Sequence, residues 1–323
     1  MSEMMDAAVL TAPAVMTTRS VPLPVPGPGE VRVRLEGCGV CASNVEPWEG
    51  QPWSTYPGEP GGTGHEGWGV VDTVGLDVTG IAAGDRVTML SGNSYAPYDI
   101  AAADRVAMLP PALAGRPFPG EPLGCAFNIF RRTDVHAGQW VAIVGIGFLG
   151  AVLTRLATDA GAKVIAISRR AESLTLATRH GAAETVPMHD HHEIINRVMA
   201  LTGGRGCARV IEAVGKQWPL DLAGELVAEG GKLIVAGYHQ DGPRQVSMQM
   251  WNWKGIDVVN AHERNPAVQM RGLCEGIEAV ASGRIDLAPL LTHSYPLDRL
   301  DDALAATRDK PAGFVKAWIE YPV

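Results

Sequence analysis

A chain of 323 residues is long enough for two domains with sizeable cores, and its 46% hydrophobic and 19% charged residues are those of an ordinary soluble protein. A formal net charge of −8 argues against nucleic acid or an anionic membrane as a partner. No signal peptide is visible, no apolar run is long enough to span a bilayer, and five scattered cysteines suit a reducing cytoplasm better than a disulfide framework.

Residues 7–110 read as β-rich. Runs at 7–10, 30–35 and 69–74 are apolar or alternating, divided by turns such as Pro24-Val-Pro-Gly-Pro-Gly, and Gly84-Asp85 turns into another strand at 86–90. No long helix is expected before about Glu121. From Gly138 onward strands and helices alternate. Strands are expected at 141–144, 164–167, 184–187, 209–214, 232–237 and 257–260, with helices ending near Ala160 and covering 171–180, 193–201 and 220–227. Six strands joined by helical crossovers make a doubly wound parallel sheet, so the fold class is α/β. Past His262 come helices at 268–282 and 300–307 and a closing strand at 314–320. That tail adds no further strand–helix unit and is expected to return to the first domain.

The first crossover carries Gly145-x-Gly147-x-x-Gly150 between a buried strand and a helix, the context that gives this motif meaning. Gly145 permits the tight turn, Gly147 lets backbone approach a pyrophosphate, and Gly150 lets the helix pack close to the strand. The start of that helix, Phe148 and Leu149, then faces the diphosphate. An acidic side chain at the end of the second strand would bind the ribose 2′-OH of NAD, but this chain has Ser168, Arg169 and Arg170. A hydroxyl and two guanidiniums suit a 2′-phosphate, so NADP is expected over NAD. Val214 and Gly215, closing the strand at 209–214, complete the expected cofactor contacts.

Possible metal ligands are spread over 85 residues. Cys41-Ala-Ser-Asn44 is followed by Gly64-His65-Glu66-Gly67 and then by Glu121-Pro-Leu-Gly-Cys125. A thiolate, an imidazole and a further thiolate or carboxylate suit a catalytic zinc with one open position. Cys38 and Cys41 form a CxxC, but no second pair completes a ribbon and Cys38 reads as a packed small residue. His189, His191 and His192 flank Asp190 at a helix start, which favours a solvated cap over a metal site. Trp48, Trp53, Tyr56 and Tyr95 follow the metal motifs and either line a pocket or pack a loop.

The order CxSN, GHEGxG, PLGC and GxGxxG resembles the zinc-containing medium-chain alcohol dehydrogenase superfamily over nearly the whole chain. The resemblance implies a GroES-like catalytic domain at 1–126, a Rossmann dinucleotide-binding domain at 127–261, and a return to the catalytic domain at 262–323. It also implies Cys41, His65 and Cys125 as ligands of a catalytic zinc, Glu66 as a carboxylate beside the metal that exchanges with water, and Ser43 as the hydroxyl relaying the substrate's proton. Trp251 and Trp253, ahead of the strand at 257–260, resemble the segment through which dimers of this family pair their sheet edges, which implies interface residues of a homodimer or homotetramer. The same architecture implies His262 as a substrate contact or a hinge. The expected activity is hydride transfer between NADP(H) and an alcohol or polyol, or the matching aldehyde or ketone.

Four departures qualify it. The segment from Gly84 to Tyr98 has no four-cysteine lobe, so one zinc per chain is expected. Asn44 stands where the family usually has Asp, and is expected to accept a hydrogen bond from His65 without supplying charge. Glu46 stands where a His often extends the proton relay. Glu121 is an alternative to Cys125 as a ligand. Two other readings are a zinc-free reductase of activated double bonds or quinones, and a non-catalytic NADP-binding sensor.

Overall fold

The computed structural model describes residues 3–322. They divide into two compact units, one formed by the chain up to Gly124 with the chain from Gln269 onward, the other by Cys125–Val268. No helix among the described residues is long and apolar enough to cross a membrane.

The first unit is built on the strand Glu30–Val40. Val31, Val33 and Leu35 alternate inward while Arg32, Arg34 and Glu36 are half-buried between them, the period of a strand with one face on a core. Gly67–Val74 pairs with it antiparallel, and Arg32 Nε reaches Asp72 across the pair at 2.6 Å. The chain's last strand, Ala317–Glu320, takes the other edge antiparallel, with Ala317 opposite Val40. The full sheet runs His293–Tyr295, Ala317–Glu320, Glu30–Val40, Gly67–Val74, Arg86–Met89 and Val106–Met108, with Tyr98–Ala102 also on Glu30–Val40. Leu300, Ala303 and Leu304 of the helix Leu300–Asp309 close this core, in which Cys38 is a fully buried member.

In the second unit the strands are parallel throughout, in the order Glu184–Pro187, Lys163–Ser168, Trp140–Val144, Cys207–Glu212, Val227–Val235 and Asp257–Asn260. Val141–Val144 and Val164–Ile167 are fully buried, as strands covered by helices on both faces must be. The winding reverses between Trp140–Val144 and Cys207–Glu212, and ligands of such sheets bind at the carboxyl ends of the strands at that point.

Several strands exceed what the sequence suggested. Val15–Pro22, Tyr98–Ala102, Val106–Met108 and His293–Tyr295 were not expected, and Glu30–Val40 continues five residues beyond the expected run, through the irregularity at Leu35/Gly37. Val15–Pro22 is mostly exposed and polar, so its order comes from pairing with Met4–Ala12 rather than from an apolar pattern. Cys207–Glu212 stops before residue 214, which leaves Val214 and Gly215 in the turn after the strand.

Candidate metal and cofactor sites

Strand pairing assembles the metal cluster. Cys38 lies opposite Gly67, so the carboxyl end of Glu30–Val40 sits beside the amino end of Gly67–Val74. Cys41 follows the first end as the cap of the short turn Ala42–Asn44, and His65-Glu66 leads into the second. The Cys41, His65 and Glu66 ligand atoms all lie within 4.8 Å of one another. A soft thiolate, an imidazole and a carboxylate form a donor set that fits zinc.

The surroundings tune this cluster. His65 Nδ1 is 2.8 Å from the Thr63 carbonyl, and a carbonyl only accepts, so Nδ1 carries the proton and the Nε2 lone pair is the one offered to a metal. Burial opposes a charge on His65. A hydrogen bond to Cys41 and the charges of Cys41, Glu121 and Glu66 outweigh it and push the imidazole up to about 10, so a metal binding at Nε2 would displace a proton there. Glu66 is fully buried and paired with Lys316, whose Nζ lies 2.8 Å from Oε1 and 3.3 Å from the Val40 carbonyl. Burial alone would lower the Lys316 pKa, but the charges of Glu66 and Cys41 raise it overall, so it stays an ammonium. Any side chain at Gly39 would collide with the Glu66 carboxylate, so this position must lack a Cβ.

Asn44 does not meet His65 as expected. Its Nδ2 donates to the Thr63 carbonyl at 2.6 Å, and its Oδ1 accepts from the Cys41 N–H at 3.2 Å and from the Tyr95 hydroxyl at 3.4 Å. The acceptor for His65 is the Thr63 backbone carbonyl, which Asn44 Nδ2 shares. Ser43 sits half-buried on the same turn, between Cys41 and Asn44. Glu46 accepts from Gln51 Nε2 at 3.3 Å. Glu121 lies in the first turn of the helix Gly120–Thr133, and Cys125 lies further along that helix, in the second unit. Trp48 and Tyr95 are core residues of the first unit rather than pocket walls, whereas Trp53 is 74% exposed.

In the second unit Gly145 has φ +100, and a Cβ at Gly150 would strike the Gly145 carbonyl, which accounts for both glycines. A Cβ at Gly147 would meet nothing within 4 Å, so the turn leaves open the approach a diphosphate needs. Gly147 caps the helix Phe148–Asp159, whose first N–H groups lack intrahelical acceptors. Ser168 is buried at the end of its strand, Arg169 is exposed, and Arg170 caps the next helix. Burial lowers the Arg170 pKa, Glu172 opposes this, and the charge of Arg169 adds to it.

Val214 and Gly215 are held by a network not evident in the sequence. Fully buried Glu212 accepts their N–H groups at 2.7 and 2.8 Å, and its other oxygen lies 2.9 Å from His239 Nε2. Arg244 Nε donates to His239 Nδ1 at 2.8 Å, so the His239 proton sits on Nε2 and points at Glu212. Asp190 caps the helix His191–Thr202 by accepting from the Glu193 N–H, and His191 bonds Glu225 and Trp218. Trp251 packs against the core of this unit while Trp253 is 87% exposed.

Residues 27–116 match the family described as the alcohol dehydrogenase GroES-like domain, and residues 149–274 match the zinc-binding dehydrogenase family. An alcohol dehydrogenase of Rhizobium meliloti (strain 1021) is 30% identical over 255 residues, which cover 69% of this chain and 73% of that protein. The chain belongs to the zinc-binding medium-chain dehydrogenase/reductase superfamily. An alcohol dehydrogenase of Geobacillus stearothermophilus is 29% identical over 310 residues, 85% of this chain and 87% of that one. A solved candidate zinc-binding dehydrogenase of Sinorhizobium meliloti 1021, bound to NADP, superposes with a TM-score of 0.86 at 25% identity, covering 99% of this chain and 100% of that one. Membership of the superfamily makes this an NAD(P)-dependent oxidoreductase of small organic substrates, with a GroES-like domain and a Rossmann-like sheet.

Proposed function

We propose that the chain is a zinc-dependent oxidoreductase that exchanges a hydride between NADP(H) and an alcohol or polyol, or the corresponding aldehyde or ketone. The convergence of Cys41, His65 and Glu66 on one point carries this reading. A zinc-free reductase has no physical need for a thiolate, an imidazole and a buried carboxylate held together. In the proposed site Cys41 and His65 hold the metal with Glu66 beside them, and Glu121 is a further candidate ligand in the same unit. Zinc supplies Lewis acidity towards the substrate oxygen, and the nicotinamide supplies or accepts the hydride. Ser43, on the turn beside Cys41, moves the substrate's hydroxyl proton. Lys316 anchors the Glu66 carboxylate next to the ligands. The Gly145–Gly150 turn orients the diphosphate, and Ser168, Arg169 and Arg170 bind the 2′-phosphate.

The cofactor assignment is tested by binding NADP(H) and NAD(H) to the wild type and to Arg169→Ala, alongside turnover with a panel of alcohols. A charge-assisted contact is worth about 1.5–3 kcal/mol, so NADP(H) should bind one to two decades more tightly than NAD(H). Arg169→Ala should remove most of that difference. Equal affinities in the wild type would contradict the assignment.

A further inference from the structure

Asn44 touches both segments that carry the clustered ligands. Its Oδ1 accepts the N–H of Cys41 itself, and its Nδ2 donates to the Thr63 carbonyl, which is also the partner of His65 Nδ1. The orientation of the amide follows from its neighbours. The Cys41 N–H can only donate and the Thr63 oxygen can only accept, so the oxygen end must face Cys41 and the nitrogen end Thr63. The Tyr95 hydroxyl, on a fully buried side chain, completes the acceptor end. Thr63 needs such a fixture, because its φ of +70° lies in the left-handed region that a β-branched residue adopts only under constraint. Asn44 is itself only 4% exposed, which strengthens the bonds its amide makes.

We propose that Asn44 is a positioning residue that clamps the Cys41 and His65 segments together, fixing the Thr63 carbonyl and through it the His65 tautomer that leaves Nε2 for zinc. This rests on the zinc reading above. The clamp requires a side chain that accepts at one end and donates at the other, and an amide does both. A carboxylate does not: at the same place it would set an oxygen against the Thr63 carbonyl, 2.6 Å from the present nitrogen. Asparagine is therefore the residue this geometry selects. It is not a weakened aspartate.

The sign of one substitution separates the two views. Removing an outer partner of a metal-ligating histidine typically lowers metal affinity about 10–100-fold. In chelator competition at a single pH, Asn44→Asp should lose zinc affinity by about that factor, and Tyr95→Phe by less. An Asn44→Asp protein that holds zinc as tightly as the wild type, or more tightly, overturns the clamp. Because Asn44→Asp can fail to fold, a second measurement uses the unaltered protein. Long-range 1H–15N spectra of the zinc-loaded wild type should find the His65 proton on Nδ1 and the metal on Nε2, and the reverse assignment overturns the proposal. A wild type that takes up no zinc refutes the zinc reading and the clamp with it. One bound zinc with an indifferent Asn44→Asp refutes the clamp alone.

Discussion

At the residue scale, a lysine with only 5% of its surface exposed must be neutralised or paired, and Lys316 is paired with a fully buried carboxylate. The pair is costly to desolvate and more costly to break, because removing one partner strands the other charge in the interior. Lys316→Met should therefore lower stability by about 3–5 kcal/mol in urea denaturation, and adding Glu66→Gln should restore much of the loss. A stable Lys316→Met single variant would contradict this account of the pair. These residues also mark how far a sequence can be read. Cys41, His65 and Glu66 stand in short motifs whose residue types announce a metal. Lys316 acts on Glu66 from 250 residues away, and the only local hint is a lone cation in the apolar run from Phe314 to Ile319. The Thr63 carbonyl has no signature at all, since backbone acceptors are invisible to residue type, and so Asn44 was assigned the wrong partner.

Elements were legible where burial dictates pattern. The six strands of the parallel sheet are short apolar runs between helices, and each lies where its run of residues sits, to within a few positions. Val227–Val235 begins five residues before the expected start, and Gly230 and Gly231 lie inside the strand. Strands ordered by their neighbours were missed, Val15–Pro22 above all. Helix starts were clearer, because a cap is a chemical requirement: Asp190 satisfies the Glu193 N–H at 2.9 Å, as its position before the helix suggested. Asp190→Ala should cost about 1 kcal/mol and lower the thermal midpoint slightly, with the metal site untouched. No loss of stability would show that this cap is redundant with other contacts of the helix, such as that of His191 with Glu225.

For the whole molecule, the order of motifs along the chain revealed the architecture, because each motif belongs to an element with a fixed place in its unit. The first unit contributes Cys41, His65, Glu66 and, from the returning C-terminal segment, Lys316. The second contributes the glycine turn, the Ser168–Arg170 corner and the Glu212 network that fixes the Val214–Gly215 turn. The substrate was not legible, since no motif records the shape of a pocket. The central claim is that this chain holds one catalytic zinc, and elemental analysis of the purified protein tests it most directly. The account predicts one zinc per chain, with NADP-dependent alcohol oxidation lost on chelation and regained when zinc is returned. Two tightly held zincs, or full turnover with none, would contradict it.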